Sequence, residues 1–209
     1  MVESRREVEG RMKQLKYLWM DLTLYALRSK KSGCIWPLLM AIIYPQTWAN
    51  IQYRLQKAVV DGCRIPLVRQ LLLICFFFNG RIVKMLTGIE VHHSAECGPG
   101  LYFAHLGSII IAMNCKVGHS CSIHQEVTLG GAGYDNEANG FPALGNAVYV
   151  GAGAKICGGV KVGSDVLIGA NAVVVKDIPS HSTAVGVPAK VINSNGSSKA
   201  LTVYPGLEI

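Results

Sequence analysis

The sequence predicts a mainly β protein, a left-handed parallel β-helix preceded by an α-helical subdomain. Three observations lead to this fold class. Large aliphatic residues recur every six positions in the C-terminal half, residues 1–88 carry apolar residues at helical spacing, and charged residues become sparse after Gly88. A period of six fits neither an α-helix nor a half-buried strand, and it is typical of β-helix repeats.

The N-terminal part is predicted to form several short helices in one subdomain over residues 1–88. Apolar residues fall three or four positions apart, as is usual for one face of a helix. The breaks expected in this pattern are Ser32-Gly33, Pro45 and Pro66. The residues that carry the spacing are Leu15, Leu18, Trp19, Leu22, Tyr25, Leu55 and Val59.

The six-residue repeat predicts a β-helix domain over residues 89–192. Each hexad should form one side of a triangular coil, with its aliphatic side chain inside and small residues at the corners. Three hexads complete a coil, so residues 18 apart, such as Cys97 and Cys115, are expected to stack. The register is kept by Ile111, Val117, Ile123 and Leu129, then by Val150, Ile156, Val162, Ile168 and Val174.

One interruption separates the two runs of the repeat. Leu129 and Val150 are 21 positions apart, which is not a multiple of six, so residues 130–146 are predicted to leave the coil as a loop. A loop on a rigid solenoid is a natural binding element. Residues 176–192 are expected to close the β-helix, and residues 193–209 to form a loose tail.

Positive charge is concentrated in the helical part. Residues 1–90 hold 14 of the 20 Lys and Arg against 6 acids, whereas the remainder holds 6 against 7. A solvated helical surface is the favoured interpretation, with anionic lipid or an acidic glycan as the alternative partner. No nucleic-acid motif accompanies the charge, so nucleic acid is not an expected partner. The residues are Arg5, Arg6, Arg11, Lys13, Lys16, Arg28, Lys30 and Lys31.

The seven cysteines show no metal-ligand spacing and are expected to be small buried residues in a reducing cytoplasm. The N-terminus has no secretory cleavage pattern, which also favours the cytoplasm. The apolar stretches Cys34–Trp48 and Ile65–Phe78 fall short of the roughly 20 residues of a spanning helix. Core helices are therefore expected, and a peripheral contact with the inner membrane face is left open.

Six segments carry a resemblance to the serine acetyltransferase branch of the hexapeptide-repeat acyltransferases over about residues 44–192. The resemblance implies acetyl-CoA as co-substrate, His105 as the catalytic base and Glu90 as its hydrogen-bonding partner. It also implies a homotrimer with active sites between subunits. The segments are LTGIEVHHSA (86–95), FAH (103–105), EVTLGGAG (126–133), VGAGAKICG (150–158), IGANAVVVKDIP (168–179) and AVGVPAKVI (184–192).

Further site residues follow from the same motifs. Backbone N–H groups near Gly130 and Gly131 are the candidate oxyanion donors, because glycine permits close approach to a ligand. His124 is the reserve base, and nothing requires a metal. The resemblance implies a coenzyme A groove lined by Gly151, Ala152, Gly153, Ala154, Gly169, Ala170 and Asn171, with Lys176 and Lys190 as phosphate partners or ordinary exposed lysines.

The chain departs from the family where the acceptor is recognised. Serine acetyltransferases carry an Asp before the catalytic His and an Arg-His-Pro in the loop, whereas this chain has Ala104 and Asn139-Gly140-Phe141-Pro142. Without those charges a buried zwitterion is left unpaired, which is costly. We therefore expect a hydroxyl of a sugar or surface-polysaccharide precursor, with Phe141 against the sugar ring. The alternatives are serine O-acetylation, an acyl group other than acetyl, and a non-catalytic trimeric scaffold.

Overall fold

The computed structural model describes residues 2–63, 65–133 and 140–201, with side chains from residue 10 onward. The side chains of Arg5 and Arg6 and the whole of Asn139 lie outside this part. The helices are α1 (Val2–Arg28), α2 (Trp36–Ile43), α3 (Thr47–Gly62) and α4 (Pro66–Thr87). The three predicted breaks are confirmed, since each falls between two of these helices or at the first residue of one. Gly88 ends α4 at φ 73°, a left-handed conformation that favours glycine.

Helix α4 differs from its prediction in both length and burial. It continues past Phe78 to Thr87 and spans 22 residues, so among the described residues it is long and apolar enough to cross a membrane by length and composition alone. Only Val83 and Thr87 of this helix are buried, and Leu67 and Met85 are 71% and 78% exposed. The expectation of a short core helix is therefore wrong.

The C-terminal part is the predicted parallel β-helix, built from three sheets. Sheet A contains β1 (Ile89–Val91), β4 (Ile109–Ile111), β7 (Thr128–Gly130), β10 (Lys155–Cys157) and β13 (Val173–Val174). Sheet B contains β2 (Glu96–Cys97), β5 (Lys116–Val117), β8 (Ala143–Leu144) and β11 (Lys161–Val162). Sheet C contains β3 (Tyr102–Phe103), β6 (Ser122–Ile123), β9 (Tyr149–Val150), β12 (Leu167–Ile168), β14 (Thr183–Val185) and β15 (Lys190–Asn193), of which β15 alone is antiparallel to its neighbour.

The aliphatic residues of the repeat fill the inside of the coils, as predicted. Ile123, Val150 and Ile168 stack in register and have no exposed surface. The first coil, however, is two residues longer than the three hexads expected of a coil, so Cys97 pairs with Val117 rather than with Cys115. The predicted stacking of Cys97 on Cys115 is therefore wrong. The extra residues lie between Phe103 and Ile111, in the corner that contains His105.

The predicted loop is shorter than the sequence suggested. Gly130 belongs to β7, and β8 resumes the coil because Leu144 pairs with Val117 and lies six positions before Val150. The excursion is therefore residues 131–142 rather than 130–146. Residues 134–139 of it lie outside the described part.

The start of the predicted loose tail is docked on the β-helix. Ser197 is fully buried, and its backbone N–H and hydroxyl both donate to Asp165 Oδ1, at 2.8 and 2.9 Å. The expectation of a loose segment is wrong at this residue, and residues 202–209 lie outside the described part.

The cysteines are only partly the buried residues that the sequence predicted. Cys97, Cys115 and Cys121 are buried, and burial raises the pKa of the Cys97 thiol to about 11. Cys34 and Cys75 are exposed, because they lie in the helical part rather than in the coils.

Tyrosine side chains from the helices satisfy backbone groups at the open end of the first coil. The Tyr25 hydroxyl accepts from Phe103 N–H at 2.9 Å and donates to Phe103 C=O at 3.1 Å. The Tyr53 hydroxyl accepts from Cys97 N–H at 3.1 Å and donates to Ala95 C=O at 2.8 Å. These groups have no further coil to pair with, so α1 and α3 take the place of the next coil.

A buried ion pair completes this cap. Arg54 and Asp21 have no exposed surface, and Arg54 Nε lies 2.8 Å from Asp21 Oδ2. Arg54 also donates to the carbonyls of Cys97 and Gly98, at 2.7 and 2.6 Å. Asp21 Oδ1 accepts from Leu101 N–H at 2.9 Å. The pair therefore joins α1, α3 and the first coil in one network.

Replacing Asp21 with Ala should lower the free energy of unfolding by about 3 to 5 kcal/mol, because it leaves the Arg54 guanidinium buried without its counter-charge. Urea denaturation of the purified variant measures this loss. The control is Asp61→Asn, which removes the partly exposed Lys57–Asp61 pair at 3.9 Å and should cost about 0.5 kcal/mol or less. Equal losses in the two variants would contradict a capping role for Asp21.

Candidate active site

Two edges of sheet A contain nearly all the candidate site residues. The His105 edge is the corner between sheets C and A, and consists of residues 104–108, 124–127, 151–154 and 169–172. The loop edge is the corner between sheets A and B, and its described residues are 92–95, 112–115, 131–133, 140–142, 158–160 and 175–177. The parallel strands of sheet A run from the first edge to the second, a length of about 10 Å at 3.3 Å per residue.

His105 is exposed at its edge and lies beside the reserve base. The ring centroids of His105 and His124 are 5.8 Å apart, and His124 packs on Tyr149 at 4.6 Å. Burial lowers the pKa of His124, and the nearby charges of His105 and Arg28 lower it further. A substrate hydroxyl can therefore reach His105 from solvent, while His124 is a neutral, packed neighbour.

Polar atoms without partners cluster near the two histidines. Among the described residues, five buried side-chain atoms make no hydrogen bond: Arg28 Nε and Nη2, Ser122 Oγ, His124 Nε2 and Gln125 Oε1. Each such atom costs about 1–3 kcal/mol, and more when it is charged. Their concentration here indicates a place where a ligand or another chain supplies the missing partners. No three His, Cys, Asp or Glu of the described part are grouped so that they could hold an ion.

Sequence reasoning missed Arg28, Ser122 and Gln125 as site residues. Arg28 was grouped with the basic surface because a helical pattern does not show what its C-terminal end packs against. Ser122 precedes Ile123 in the hexad register, so its outward direction was readable from the sequence. Its burial was not readable, because burial depends on the packing around sheet C.

The structure brings the predicted coenzyme segments onto the His105 edge. Gly153 N–H donates to Gln125 C=O at 2.9 Å, and Asn171 N–H donates to Ala152 C=O at 2.8 Å. The corners 124–127, 151–154 and 169–172 thus stack in one line. Close packing also requires glycine at two positions here. A Cβ at Gly151 would lie 2.7 Å from Ala170 N, and one at Gly153 would lie 2.0 Å from Asn171 Oδ1.

The two predicted phosphate partners are separated. Lys190 lies in β15 opposite Val185 and is exposed on the side of sheet C nearer the His105 edge. Lys176 is exposed on the loop edge. The predicted pair is therefore not on one surface of a single chain, and Lys190 is the better placed for a ligand along the His105 edge.

Glu90 does not contact His105 within the chain. It lies in β1 opposite Ile110, and its carboxylate forms an ion pair with Lys84. It faces a cavity of about 350 Å³ between α3, α4 and β1, together with His92 and His93. The predicted Glu90–His105 hydrogen bond is absent from the described residues, because Glu90 lies in the middle of β1 whereas His105 lies in the corner before β4.

The other predicted acceptor and oxyanion residues lie away from His105. Gly130 is the last residue of β7, and Gly131 and Phe141 lie on the loop edge. Phe141 packs partly buried against the core of the β-helix. Ala104 precedes His105, and its N–H donates to Ile123 C=O at 3.0 Å. The structure therefore groups Ala104, His105 and His124, and separates them from Gly130, Gly131 and Phe141.

Comparison with known proteins identifies relatives for most of the chain. Residues 142–176 match the model of the bacterial transferase hexapeptide (six repeats) family. The chain is 39% identical to a serine acetyltransferase of Helicobacter pylori (strain J99) over 160 residues, which are 77% of this chain and 87% of the relative. It is 40% identical to that of Synechococcus elongatus over 155 residues, which are 60% of the relative.

Solved structures agree in fold. Neisseria gonorrhoeae serine acetyltransferase in complex with serine is 28% identical with a TM-score of 0.71, and covers 87% of this chain and 70% of that one. A serine acetyltransferase in complex with CoA is 26% identical with a TM-score of 0.67, and covers 86% and 70%. The parallel β-helix, its repeat and the extent of these matches show that the chain belongs to the serine acetyltransferase family of hexapeptide-repeat acyltransferases.

Proposed function

We propose that this chain transfers the acetyl group of acetyl-CoA to the hydroxyl of L-serine. The observation that carries the reaction is the His105 edge, where an exposed imidazole begins a line of stacked corners that continues through the coenzyme segments. The acceptor is supported by the relatives described above, which are serine acetyltransferases. The glycan acceptor favoured by the sequence is not supported by these relatives.

The chemistry requires one base and fixed donors. His105 accepts the hydroxyl proton while the oxygen attacks the thioester carbonyl carbon, so a C–O bond forms and the carbonyl electrons move to oxygen. Collapse of this oxyanion breaks the C–S bond, and the imidazolium returns its proton to the leaving thiolate. Backbone N–H groups near Gly130 and Gly131 stabilise the oxyanion, and no covalent enzyme intermediate forms.

A site between two copies of the chain accounts for the separation of these residues. Gly130, Gly131, Phe141 and Glu90 lie on or next to sheet A and its loop edge, whereas His105 lies on the other edge. Glu90 is 41% exposed, so a second copy can reach it. The exposed apolar face of α4 is a further surface that assembly would cover. We propose a homotrimer in which each site takes His105 from one copy and the loop-edge groups from the next.

A glycan hydroxyl is the second candidate acceptor, and one observation favours it. Ala104 and Phe141, which stand where the family carries charged residues, supply no charge to an amino acid. Phe141 is packed on the core, however, so only part of its ring is available to a sugar.

With L-serine as acceptor, the purified protein should release thiol from acetyl-CoA, and His105→Ala should lower kcat by about a hundredfold or more because the general base is lost. The matched control is His124→Asn, which removes the adjacent imidazole and should retain most of kcat if His105 is the base. Thiol release with a disulfide reagent measures both.

A panel of neutral and acidic sugars offered in parallel decides the acceptor. Turnover on serine with none on sugars supports the proposed function. Turnover on sugars alone would show that the acceptor is a sugar rather than serine. A larger loss of kcat in His124→Asn than in His105→Ala would identify His124 as the base.

Mixed oligomers test whether the site is shared between copies. His105→Ala and Glu90→Gln chains with different tags are co-expressed, and oligomers containing both are isolated. In a mixed trimer with shared sites, about one site in three combines an intact His105 with an intact Glu90, so activity should rise well above that of either variant alone. No recovery, or full activity of Glu90→Gln alone, would contradict the shared pair.

A further inference from the structure

Arg28 is the charged group whose environment the proposed reaction leaves unexplained. It lies in the last turn of α1, and its guanidinium carbon is 3.9 Å from the centroid of the Tyr102 ring. The Tyr25 ring also packs on Tyr102, with 4.5 Å between the ring centroids. Stacking on an aromatic ring fixes the plane of a guanidinium while leaving its N–H edges free to bind.

The unpartnered atoms of Arg28 are a matched pair. Nε and Nη2 form one edge of the guanidinium, with two N–H bonds that point in parallel, and both lack a partner among the described residues. This edge fits the two oxygens of a carboxylate in a bidentate arrangement. No Asp or Glu of the described part occupies it.

Arg28 acts on the neighbour of His105, because its positive charge helps to lower the pKa of His124. Tyr102 pairs with Ser122, and Ser122 pairs with Tyr149, so these residues form one outward row on sheet C. His124 packs on Tyr149 and lies 5.8 Å from His105. Tyr102 itself is three positions before His105. The row therefore leads from the Arg28 guanidinium to the exposed imidazole of His105, the proposed base.

We propose that Arg28 binds the carboxylate of the acceptor amino acid through its Nε and Nη2 edge, and so determines specificity for an α-carboxylate. This inference rests on the proposed function. It supplies the positive charge that the loop of this chain lacks, where Gly140 and Phe141 stand in place of a basic pair. Arg28 as a whole is only partly buried, whereas its Nε and Nη2 atoms are buried and unpartnered among the described residues.

The test compares L-serine with L-serinamide, whose neutral amide replaces the carboxylate, in the wild type and in Arg28→Gln. The wild type should prefer L-serine. Arg28→Gln should lose about 10- to 100-fold in kcat/KM for L-serine, the effect expected of a charged hydrogen bond, and little for L-serinamide, so that the preference disappears. KM for acetyl-CoA should stay within about twofold in the variant.

Two further variants separate this role from a structural one. Arg28→Lys keeps the charge without the planar fork and should retain part of the preference. Lys31→Gln removes another cation that lies over an aromatic ring, 4.7 Å from Trp36, and should leave the preference unchanged. Thermal unfolding of each variant reports any loss of fold.

Each outcome has a definite meaning. Suppose that the wild type acetylates L-serine. If Arg28→Gln then lowers kcat/KM equally for L-serine and L-serinamide, or lowers it for neither, Arg28 does not recognise the carboxylate. The inference is then overturned while the proposed function stands. If wild type does not acetylate L-serine, the proposed function fails. Calorimetry then decides the inference: binding of L-serine that is lost in Arg28→Gln supports it, and no binding by wild type overturns it.

Discussion

The Asp21–Arg54 ion pair is the interaction on which the rest of the molecule depends. A parallel β-helix pairs each coil with the next, so its first coil presents a row of unpaired backbone groups. Here two helices cover that row with polar side chains, and the ion pair anchors both helices to it. Removal of either charge leaves the other buried, so the network acts as one unit. Helix α1 ends beside the candidate active site, where it presents Arg28, so capping and the proposed acceptor recognition share one element.

The fold could be predicted from the sequence because a six-residue period is typical of a β-helix. Its aliphatic residues could then be assigned to the inside of the coils. The same reasoning failed where the period was locally broken. The two extra residues near His105 shifted the first coil, which invalidated the stacking of Cys97 on Cys115. The predicted approach of Glu90 to His105 failed because one lies in the middle of a strand and the other in a corner. The polar cap was also missed, because a helical pattern records spacing and does not reveal which polar residue faces a buried backbone.

The site was predictable to the extent that it follows the coils. The coenzyme segments and His105 were assigned separately, and the structure places them on one edge because corners of a solenoid necessarily stack. Acceptor recognition was not predictable in this way, since the proposed carboxylate-binding residue, Arg28, comes from another element. Loss of the family's charged residues argued for a sugar or surface-polysaccharide precursor as acceptor, but that argument counted only the loop and the residue before His105. The guanidinium of Arg28, which comes from α1, was not considered.

Separation of the proposed catalytic groups across sheet A has a physical consequence. Strands of a close-packed β-helix cannot bend to bring one edge toward the other, because their inward side chains fill the core without space to rearrange. Loop closure alone would have to span about 10 Å, the length of a three-residue strand. In the proposed homotrimer, a second copy would overcome this distance without deforming either chain, since it would present its own loop edge to the neighbour's His105. Rigidity of the coil then favours a symmetric assembly as the working form of the enzyme, with each copy keeping an intact core.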